Sequence, residues 1–319
     1  MYIEYRNGVV VVLEKHRLFF DHANVRGDGL RLVSHAHSDH TPTRLYSDTV
    51  MTPETREIAS VVRPLLGEPN LKRINEIIRM DSVKIKLLNA GHVLGSSQFF
   101  VESSYGSMLY TGDINTYDTV ISKHADIIES DVLVVEATYG SPSYSFPPRE
   151  EVYGGIVRWI LECIKNGQIP AFKTYSIGKS QEIIKLINSA TKLPVVTGPT
   201  VSKVCEVYGR CGIRLDFIPA KKREGMEVLN RGECVYVDSV RGTLPVEKPV
   251  KWALATGWAL KYRFNNYDRA FPLSSHADFR GIVDFIQQVN PRKVYTIHGY
   301  TETLAKELRK RGVDAIPLD

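Results

Sequence analysis

The amino-acid sequence predicts an α/β protein, and three observations carry this prediction. The first half consists largely of short β-prone segments, which indicates two sheets packed face to face under outer helices. From about residue 145 onward strands and helices alternate, as is typical of a parallel, Rossmann-like unit. A histidine-rich hexapeptide, His-Ala-His-Ser-Asp-His at 35–40, follows an apolar strand-like run. With 319 residues, the chain has room for two domains or for one large domain with an insertion.

Most elements of the first half are predicted to be short strands. The runs 8–13 and 17–21 indicate an opening hairpin or meander, and the run 30–34 predicts the strand before the hexapeptide. A helix is predicted over 53–66. The other strands are predicted at 83–88, 98–102, 108–110 and 132–136.

In the second half, helices and strands are predicted to alternate. They are a helix over 149–165, a strand over 170–175, a helix over 179–189, a strand over 194–198 and a helix over 201–209. A final helix, strand and helix are predicted at 279–289, 293–297 and 302–311. The sequence contains no internal repeat.

Composition excludes several classes of protein. No apolar run approaches the length that spans a bilayer, and the N-terminal residues lack the apolar core of a signal peptide. We therefore expect a cytoplasmic protein that does not associate with membranes. Since Cys163, Cys205, Cys211 and Cys234 lack Cys-x-x-Cys spacing, we expect reduced thiols rather than a disulfide scaffold or a zinc finger.

The hexapeptide predicts a metal site. Three imidazoles and a carboxylate are costly to bury together unless a cation holds them. Strand periodicity would point the side chains of His35 and His37 the same way, with Asp39 and His40 one step further along. One ion could then take the first pair and a second ion the other. The alternative is a polar surface loop that happens to be rich in histidine.

Two ions need more than four protein ligands, and further candidates stand at strand ends or beside glycines. His92 follows the strand predicted at 83–88, and Asp113 closes another apolar run, where its two oxygens could bridge both ions. His276 and His298 occupy similar contexts later in the chain. The remaining histidines, His16, His22 and His124, do not, and we expect them to be ordinary surface or core residues.

These motifs, in this order, resemble those of the metallo-β-lactamase superfamily and, within it, the β-CASP nucleases. The matching residues are the hexapeptide, Gly91-His92, Gly112-Asp113, Glu136, Ser275-His276-Ala277-Asp278 and Ile297-His298-Gly299. The resemblance covers nearly the whole chain. Further phrases at 174–182, 255–258 and 267–278 are most similar to compact DNA ligase-associated exonucleases and archaeal mRNA 3′-end processing factors.

The resemblance implies a four-layer αββα metallo-β-lactamase sandwich with an inserted compact Rossmann-like β-CASP domain. The sandwich would comprise residues 1–144 and 268–319, and the inserted domain residues 145–267. The resemblance also divides the ligands of two ions. One ion would be bound by His35, His37 and His92, the other by Asp39, His40 and His298, and Asp113 would bind both. These donors suit zinc and are also compatible with manganese.

The chemistry implied by the resemblance is hydrolysis by a metal-bound hydroxide, with Asp39, Glu136 and His276 as catalytic residues. His276 would protonate the leaving oxygen or stabilise its charge, and Glu136 would hold the imidazole ring of His276. Two simpler readings remain open. Glu136 could be a strand-end carboxylate that orients a loop, and His298 could support a metal ligand without binding metal itself.

The charge distribution suggests a polyanionic substrate. The net charge is +5, and residues 200–269 contain thirteen Lys and Arg against eight Asp and Glu. Trp258, Tyr262, Phe264 and Tyr267 interleave with basic residues where bases could stack, although core packing would also explain them. The cluster Lys221-Lys222-Arg223 could equally be a solvated turn. In relatives the turn at 176–180 faces nucleic acid, although Lys173 replaces the first glycine of a P-loop. The predicted nucleic-acid contacts are Ser176, Lys179, Lys261, Arg263, Arg269 and Ser275.

We therefore predict a metal-dependent nuclease acting on RNA or single-stranded DNA. The alternative is a hydrolase of thioesters or lactams, which shares the dinuclear site but needs neither the insertion nor the Glu136/His276 pair. A non-catalytic nucleic-acid-binding role is disfavoured because every motif residue is present. His298 favours RNA, whereas the ligase-associated resemblance favours DNA. The sequence leaves open endo- or exonucleolytic action, a homodimer, and association with other processing or repair proteins.

Overall fold

The computed structural model describes residues 1–22, 27–239 and 244–318. Arg241, one of the basic residues counted above, lies outside them. Contacts divide the chain into two compact units. Unit 1 comprises Met1–Asp118, Ser122–Ser145 and His276–Asp319, and unit 2 comprises Thr119–Ile121 and Phe146–Ser275.

Unit 1 begins with eleven strands and one helix. They are β1 (Tyr2–Tyr5), β2 (Val9–Leu13), β3 (His16–Phe20), β4 (Leu30–Leu32), β5 (Thr49–Met51), α1 (Pro53–Val62), β6 (Asn70–Leu71), β7 (Ile77–Met80), β8 (Val83–Asn89), β9 (Ser97–Ser103), β10 (Gly106–Tyr110) and β11 (Val132–Ala137). The predicted opening hairpin is confirmed, because β2 and β3 pair antiparallel. The strands predicted between residues 83 and 136 are also present, as β8 to β11.

Helix α1 ends at Val62, before the predicted end at Leu66. The cause is Pro64, because a proline ring disfavours the helical conformation of the residue before it. Arg63 accordingly has extended angles, with φ −150° and ψ 155°. At the other end of the helix, the Thr52 side chain accepts a hydrogen bond from the amide of Thr55 and caps it.

Unit 2 contains the alternating part of the chain. Its elements are α2 (Arg149–Lys165), β12 (Ile169–Lys173), α3 (Lys179–Ala190), β13 (Val195–Thr197), α4 (Pro199–Arg210), β14 (Ile218–Pro219), α5 (Arg223–Arg231), β15 (Val235–Asp238), β16 (Val250–Ala255), a 3₁₀ helix (Gly257–Leu260) and β17 (Arg269–Phe271). The strands form one parallel sheet in the order β14-β13-β15-β12-β16-β17. A parallel, Rossmann-like unit is what the alternation predicted.

Strand β17 differs from the predicted domain organisation. Residues from 268 onward were assigned to the first domain, yet Arg269 to Phe271 pair with Ala253 to Ala255 of β16 in the sheet of unit 2. Three residues are too short a run for their sheet partner to be read from periodicity.

The chain returns to unit 1 through α6 (Phe279–Val289), β18 (Lys293–Gly299), α7 (Thr301–Arg309) and β19 (Ala315–Pro317). Strand β18 enters the second sheet of unit 1 between β19 and β11, parallel to both. The first sheet has the order β1-β2-β3-β4-β5-β6, and the second has the order β19-β18-β11-β10-β9-β8-β7. A strand from the end of the chain is therefore hydrogen-bonded to the strand that carries Glu136.

The two sheets of unit 1 face each other across an apolar core. Alternate residues of the first sheet, such as Val9, Val11 and Phe20, meet Ile85, Phe99 and Val101 of the second sheet. A second core lies on the other side of the second sheet, where α6 and α7 contribute Ile282, Phe285 and Leu304. In the described parts of the chain, helices long and apolar enough to cross a bilayer do not occur.

Candidate metal centre and nucleic-acid surface

The hexapeptide lies in a tight turn after β4. The amides of His40 and Thr41 both donate to the carbonyl of His37, at 3.2 and 2.9 Å, so the chain curls instead of continuing as a strand. The chain bends at Ala36 and His37, so the pair does not continue strand β4. The rings of His35 and His37 lie together as expected, with His35 Nε2 2.9 Å from His37 Nδ1.

Four predicted ligands converge beside this turn. Donor atoms of His35, His37, His92 and Asp113 all lie within 4.8 Å of one another. Asp113 Oδ2 lies 3.4 Å from His35 Nε2 and 3.7 Å from His92 Nε2. Gly112 makes the approach of Asp113 possible, because it has a φ of +56° and a Cβ there would lie 2.6 Å from the Ser34 side chain.

The second predicted set of ligands is looser. His40 Nε2 lies 3.5 Å from Asp113 Oδ2 and 3.7 Å from Asp39 Oδ2, and the Asp39 side chain is largely exposed. The ring centroid of His298 lies 5.5 Å from that of His40. Among the described residues, neither Asp39 nor His298 belongs to a group whose donor atoms all lie within 4.8 Å of one another.

His298 has a backbone conformation that is uncommon for a residue other than glycine. Its φ is +58°, in the left-handed region. The register between β11 and β18 shifts at this point, so that Ala137 pairs with Gly299. A non-glycine residue held in this region, at the end of a strand beside other histidines, is typical of a functional position.

We name His35, His37, His40, His92 and Asp113 the histidine cluster. Asp113 Oδ2 is its centre, with Nε2 atoms of His35, His40 and His92 at 3.4 to 3.7 Å. Buried imidazole nitrogens around a buried carboxylate are a donor set that fits a divalent metal ion such as zinc.

Burial also governs the charge of the cluster. Burial, followed by the neighbouring imidazoles, holds the pKa of His35 well below its usual value. Burial raises the pKa of Asp113. Burial disfavours protonation of His40 as well, but the carboxylates of Asp113 and Asp21 outweigh it and raise the pKa to about 10. Protonation alone therefore cannot neutralise the buried carboxylate and pair every buried imidazole nitrogen. A bound metal cation would interact favourably with both kinds of group.

Asp21 is a site residue that the sequence prediction missed. This buried carboxylate follows β3 and accepts four hydrogen bonds, from Ser34 N at 2.7 Å, Ser34 Oγ at 2.6 Å, His40 Nδ1 at 2.9 Å and the Tyr110 hydroxyl at 2.9 Å. Ser34 Oγ also lies 2.9 Å from His35 Nδ1. Asp21 therefore orients the ring of His40 directly and that of His35 through Ser34.

Glu136 and His276 form a pair beside the cluster. Both carboxylate oxygens of Glu136 lie 3.0 Å from His276 Nδ1, and Glu136 is fully buried. The amide of Ile114 donates to Glu136 Oε1 at 2.7 Å, and the Ile114 carbonyl accepts from the amide of Ala277 at 2.8 Å. The backbone of Ile114, the residue after Asp113, thus positions both Glu136 and the segment that carries His276. The outer nitrogen, His276 Nε2, lies 3.9 Å from Asp113 Oδ2.

The predicted nucleic-acid contacts lie in unit 2 and differ in exposure. Most follow the carboxyl ends of parallel strands, where ligands bind in open α/β sheets, while Arg269 begins β17. Lys261, Arg263 and Arg269 are exposed, Ser176 is half-buried, and Lys179 and Ser275 are buried. Lys261, Arg263 and Arg269 are therefore accessible to a nucleic acid in solution.

Lys179 does not fit a direct contact with phosphate in this conformation. Its side chain is only 5% exposed, and its ammonium lies 4.6 Å from the centroid of the Tyr175 ring. Burial lowers its pKa to about 8. The burial of Ser275 disagrees with a predicted contact in the same way.

The chain is similar to several known proteins. Residues 269–317 match the family described as "Zn-dependent metallo-hydrolase RNA specificity domain". A probable DNA ligase of Opitutus terrae is 32% identical over 301 residues, which are 89% of this chain but only 28% of the ligase. An RNase J-like protein of Methanocaldococcus jannaschii is 26% identical over 340 residues, covering 84% of this chain and 80% of that protein.

The fold agrees with these matches. A solved structure from Enterococcus faecalis V583 superposes with a TM-score of 0.71 at 13% identity, covering 98% of this chain and 96% of that chain. The predicted fold class is thereby confirmed. The matched family is one of zinc-dependent metallo-hydrolases, and the donors of the histidine cluster are compatible with it. The chain belongs to the metallo-β-lactamase superfamily, in its β-CASP branch.

Proposed function

We propose that the chain is a metal-dependent nuclease that hydrolyses phosphodiester bonds, with RNA as the favoured substrate. The observation that carries the proposal is the Glu136/His276 pair, whose outer nitrogen lies 3.9 Å from the centre of the histidine cluster. Hydrolysis of a thioester or lactam does not need this pair. RNA is favoured by the name of the matching family and by that of the RNase J-like relative.

The geometry brings together His35, His37, His92 and Asp113, whereas the division into two ligand sets, with Asp39 and His298 in the second, is what the resemblance implies. His35, His37 and His92 would hold one ion, His40, Asp39 and His298 the other, and Asp113 would contact both. Bound there, divalent ions would supply an activated water and stabilise charge on the phosphodiester. Asp21 would keep the rings of His35 and His40 aimed at the ions.

The role of the pair is to supply a proton. Cleavage of a phosphodiester expels an alkoxide, which needs a proton or a positive charge. Burial disfavours the charged form of Glu136, but His276 outweighs it and lowers the pKa, so Glu136 is a carboxylate. That carboxylate accepts the Nδ1 proton of His276 and stabilises the imidazolium, which can then donate from Nε2 to the leaving oxygen.

A change of leaving group tests this role. We expect His276→Ala to slow RNA cleavage by about 10²- to 10⁴-fold, the usual contribution of a general acid. Hydrolysis of a p-nitrophenyl phosphodiester should be slowed far less, because p-nitrophenolate leaves without a proton. The metal content of His276→Ala should equal that of the wild type. The control is His124→Ala, which removes an exposed histidine. Equal losses on both substrates, or loss of metal, would show that His276 does not act as the acid.

The similarity to a DNA ligase favours a second candidate substrate, single-stranded DNA. Matched RNA and DNA strands of one sequence, labelled separately at each end, distinguish the two. Faster cleavage of RNA supports the favoured substrate, and faster cleavage of DNA replaces it. The pattern of labelled products also separates endonucleolytic from exonucleolytic action.

A further inference from the structure

Two exposed tyrosines lie in the segments that follow two neighbouring strands of the parallel sheet of unit 2. Tyr175 is 54% exposed and Tyr262 is 55% exposed, and they are the exposed aromatic side chains among the described residues of this unit. Tyr175 follows β12, and Tyr262 follows the 3₁₀ helix after β16. The strands β12 and β16 are hydrogen-bonded neighbours, about 4.8 Å apart, so the segments that carry the two tyrosines leave the sheet from adjacent strand ends.

Both rings are accompanied by cations. The ammonium groups of Lys173 and Lys179 lie 5.8 and 4.6 Å from the centroid of the Tyr175 ring. Tyr262 stands between Lys261 and Arg263 in the sequence, and both are exposed. A third ring, that of Trp258, lies 6.2 Å from the Tyr262 ring. Exposed aromatic faces beside lysine and arginine are what proteins use to bind single strands, because bases stack on the rings and phosphates meet the cations.

We propose that Tyr175, Tyr262 and the flanking Lys173, Lys179 and Lys261 form a stacking surface for unpaired bases. We name these residues the tyrosine surface. The proposal rests on the proposed function and specifies its substrate as single-stranded nucleic acid, since the base faces of a duplex are covered by their neighbours. It also gives the buried Lys179 a role, which is to hold the Tyr175 ring rather than to contact phosphate.

The basic cluster Lys221-Lys222-Arg223 lies elsewhere on the same sheet. It follows β14, which is four strands from β16 in the sheet order, or about 19 Å. These three basic residues therefore offer positive charge without exposed rings and would attract phosphates only. Binding at the tyrosine surface should differ from such charge attraction because its affinity depends on the presence of bases.

Binding of labelled oligonucleotides tests the proposal. Fluorescence anisotropy in the presence of EDTA measures the Kd without cleavage. We expect Tyr175→Ala and Tyr262→Ala each to raise the Kd for single-stranded RNA about 5- to 150-fold. Tyr175→Phe and Tyr262→Phe should bind nearly as the wild type, because the ring remains. Tyr105→Ala is the matched control, since this tyrosine of unit 1 is 57% exposed.

An abasic strand of equal length, which keeps its phosphates, completes the design. The wild type should bind it more weakly than the normal strand, this difference should shrink in each alanine variant, and the double variant should bind both strands alike. The proposal is overturned if the alanine variants bind as the wild type, or if duplex or abasic strands bind as tightly as normal single strands. Base-dependent binding without any metal-dependent cleavage would instead reject the nuclease function, and cleavage without base dependence would reject only the tyrosine surface.

Discussion

The histidine cluster and the tyrosine surface hold their polar groups in different ways. In the cluster three of the four rings are buried and Asp21 orients His40, while beside the cluster Glu136 orients His276. On the tyrosine surface the rings are half exposed, and the ammonium groups of two lysines lie near the Tyr175 ring. Metal chemistry requires fixed distances, whereas stacking tolerates many bases and positions. Substitutions should therefore have large effects in the cluster and graded effects on the surface.

The largest effect is expected for Asp113→Asn. Asp113 Oδ2 is the atom around which the imidazole nitrogens gather, so its loss should reduce nuclease activity by about 10³-fold or more. Metal analysis of the purified variant should also show less than the wild-type content of zinc. Glu68→Gln, at a carboxylate that is 90% exposed, should leave both unchanged. Wild-type metal content and activity in the Asp113 variant would mean that the cluster is not the metal centre.

A smaller effect is expected for Asp21→Asn. An amide cannot accept all four hydrogen bonds, so the rings of His35 and His40 lose their orientation. We expect zinc to bind about 10- to 100-fold more weakly, as measured by competition with a chromophoric chelator. Tyr110→Phe removes one of the four donors and should have a lesser effect. Unchanged zinc affinity in Asp21→Asn would contradict the orienting role.

The last prediction concerns the stability of the protein and a lysine of the tyrosine surface, and it involves no change in catalysis. The pKa of Lys179 is lowered from 10.5 to about 8 by burial, so between these values the unfolded chain binds more protons and folding is favoured as pH rises. Lys179→Met should therefore be more stable than the wild type below pH 8, by about 3 kcal/mol at most. The advantage should vanish above pH 10.5. Urea unfolding of both proteins at pH 7 and pH 10 measures it, and an equal difference at both pH values would refute it.

Much of the fold was predictable because its signals are local. The strand and helix alternation of unit 2 and helix α2 could be read from short windows of sequence. The early end of α1 at Pro64 could also have been predicted, because the proline effect is local. The sheet partner of β17 could not, because it depends on a pairing between separate segments.

The site was predictable to the extent that it is a motif. His35, His37 and His40 are adjacent in sequence, but Asp21 receives its hydrogen bonds from Ser34, His40 and Tyr110, which come from separate parts of the chain. The one available signal was its place directly after the apolar strand β3, the same context that identified Asp113. Exposure was not predictable either. Lys179 follows a strand end as Tyr175 does, yet only the tyrosine is exposed.

The central claim is that the chain binds divalent metal and hydrolyses phosphodiester bonds of nucleic acid. The most direct measurement incubates zinc-loaded protein with end-labelled single-stranded RNA and DNA, and in parallel with thioester and lactam substrates. We predict that the oligonucleotides are cleaved and that EDTA or Asp113→Asn abolishes the cleavage. Rapid hydrolysis of a thioester or lactam, with every oligonucleotide left intact, would contradict the claim.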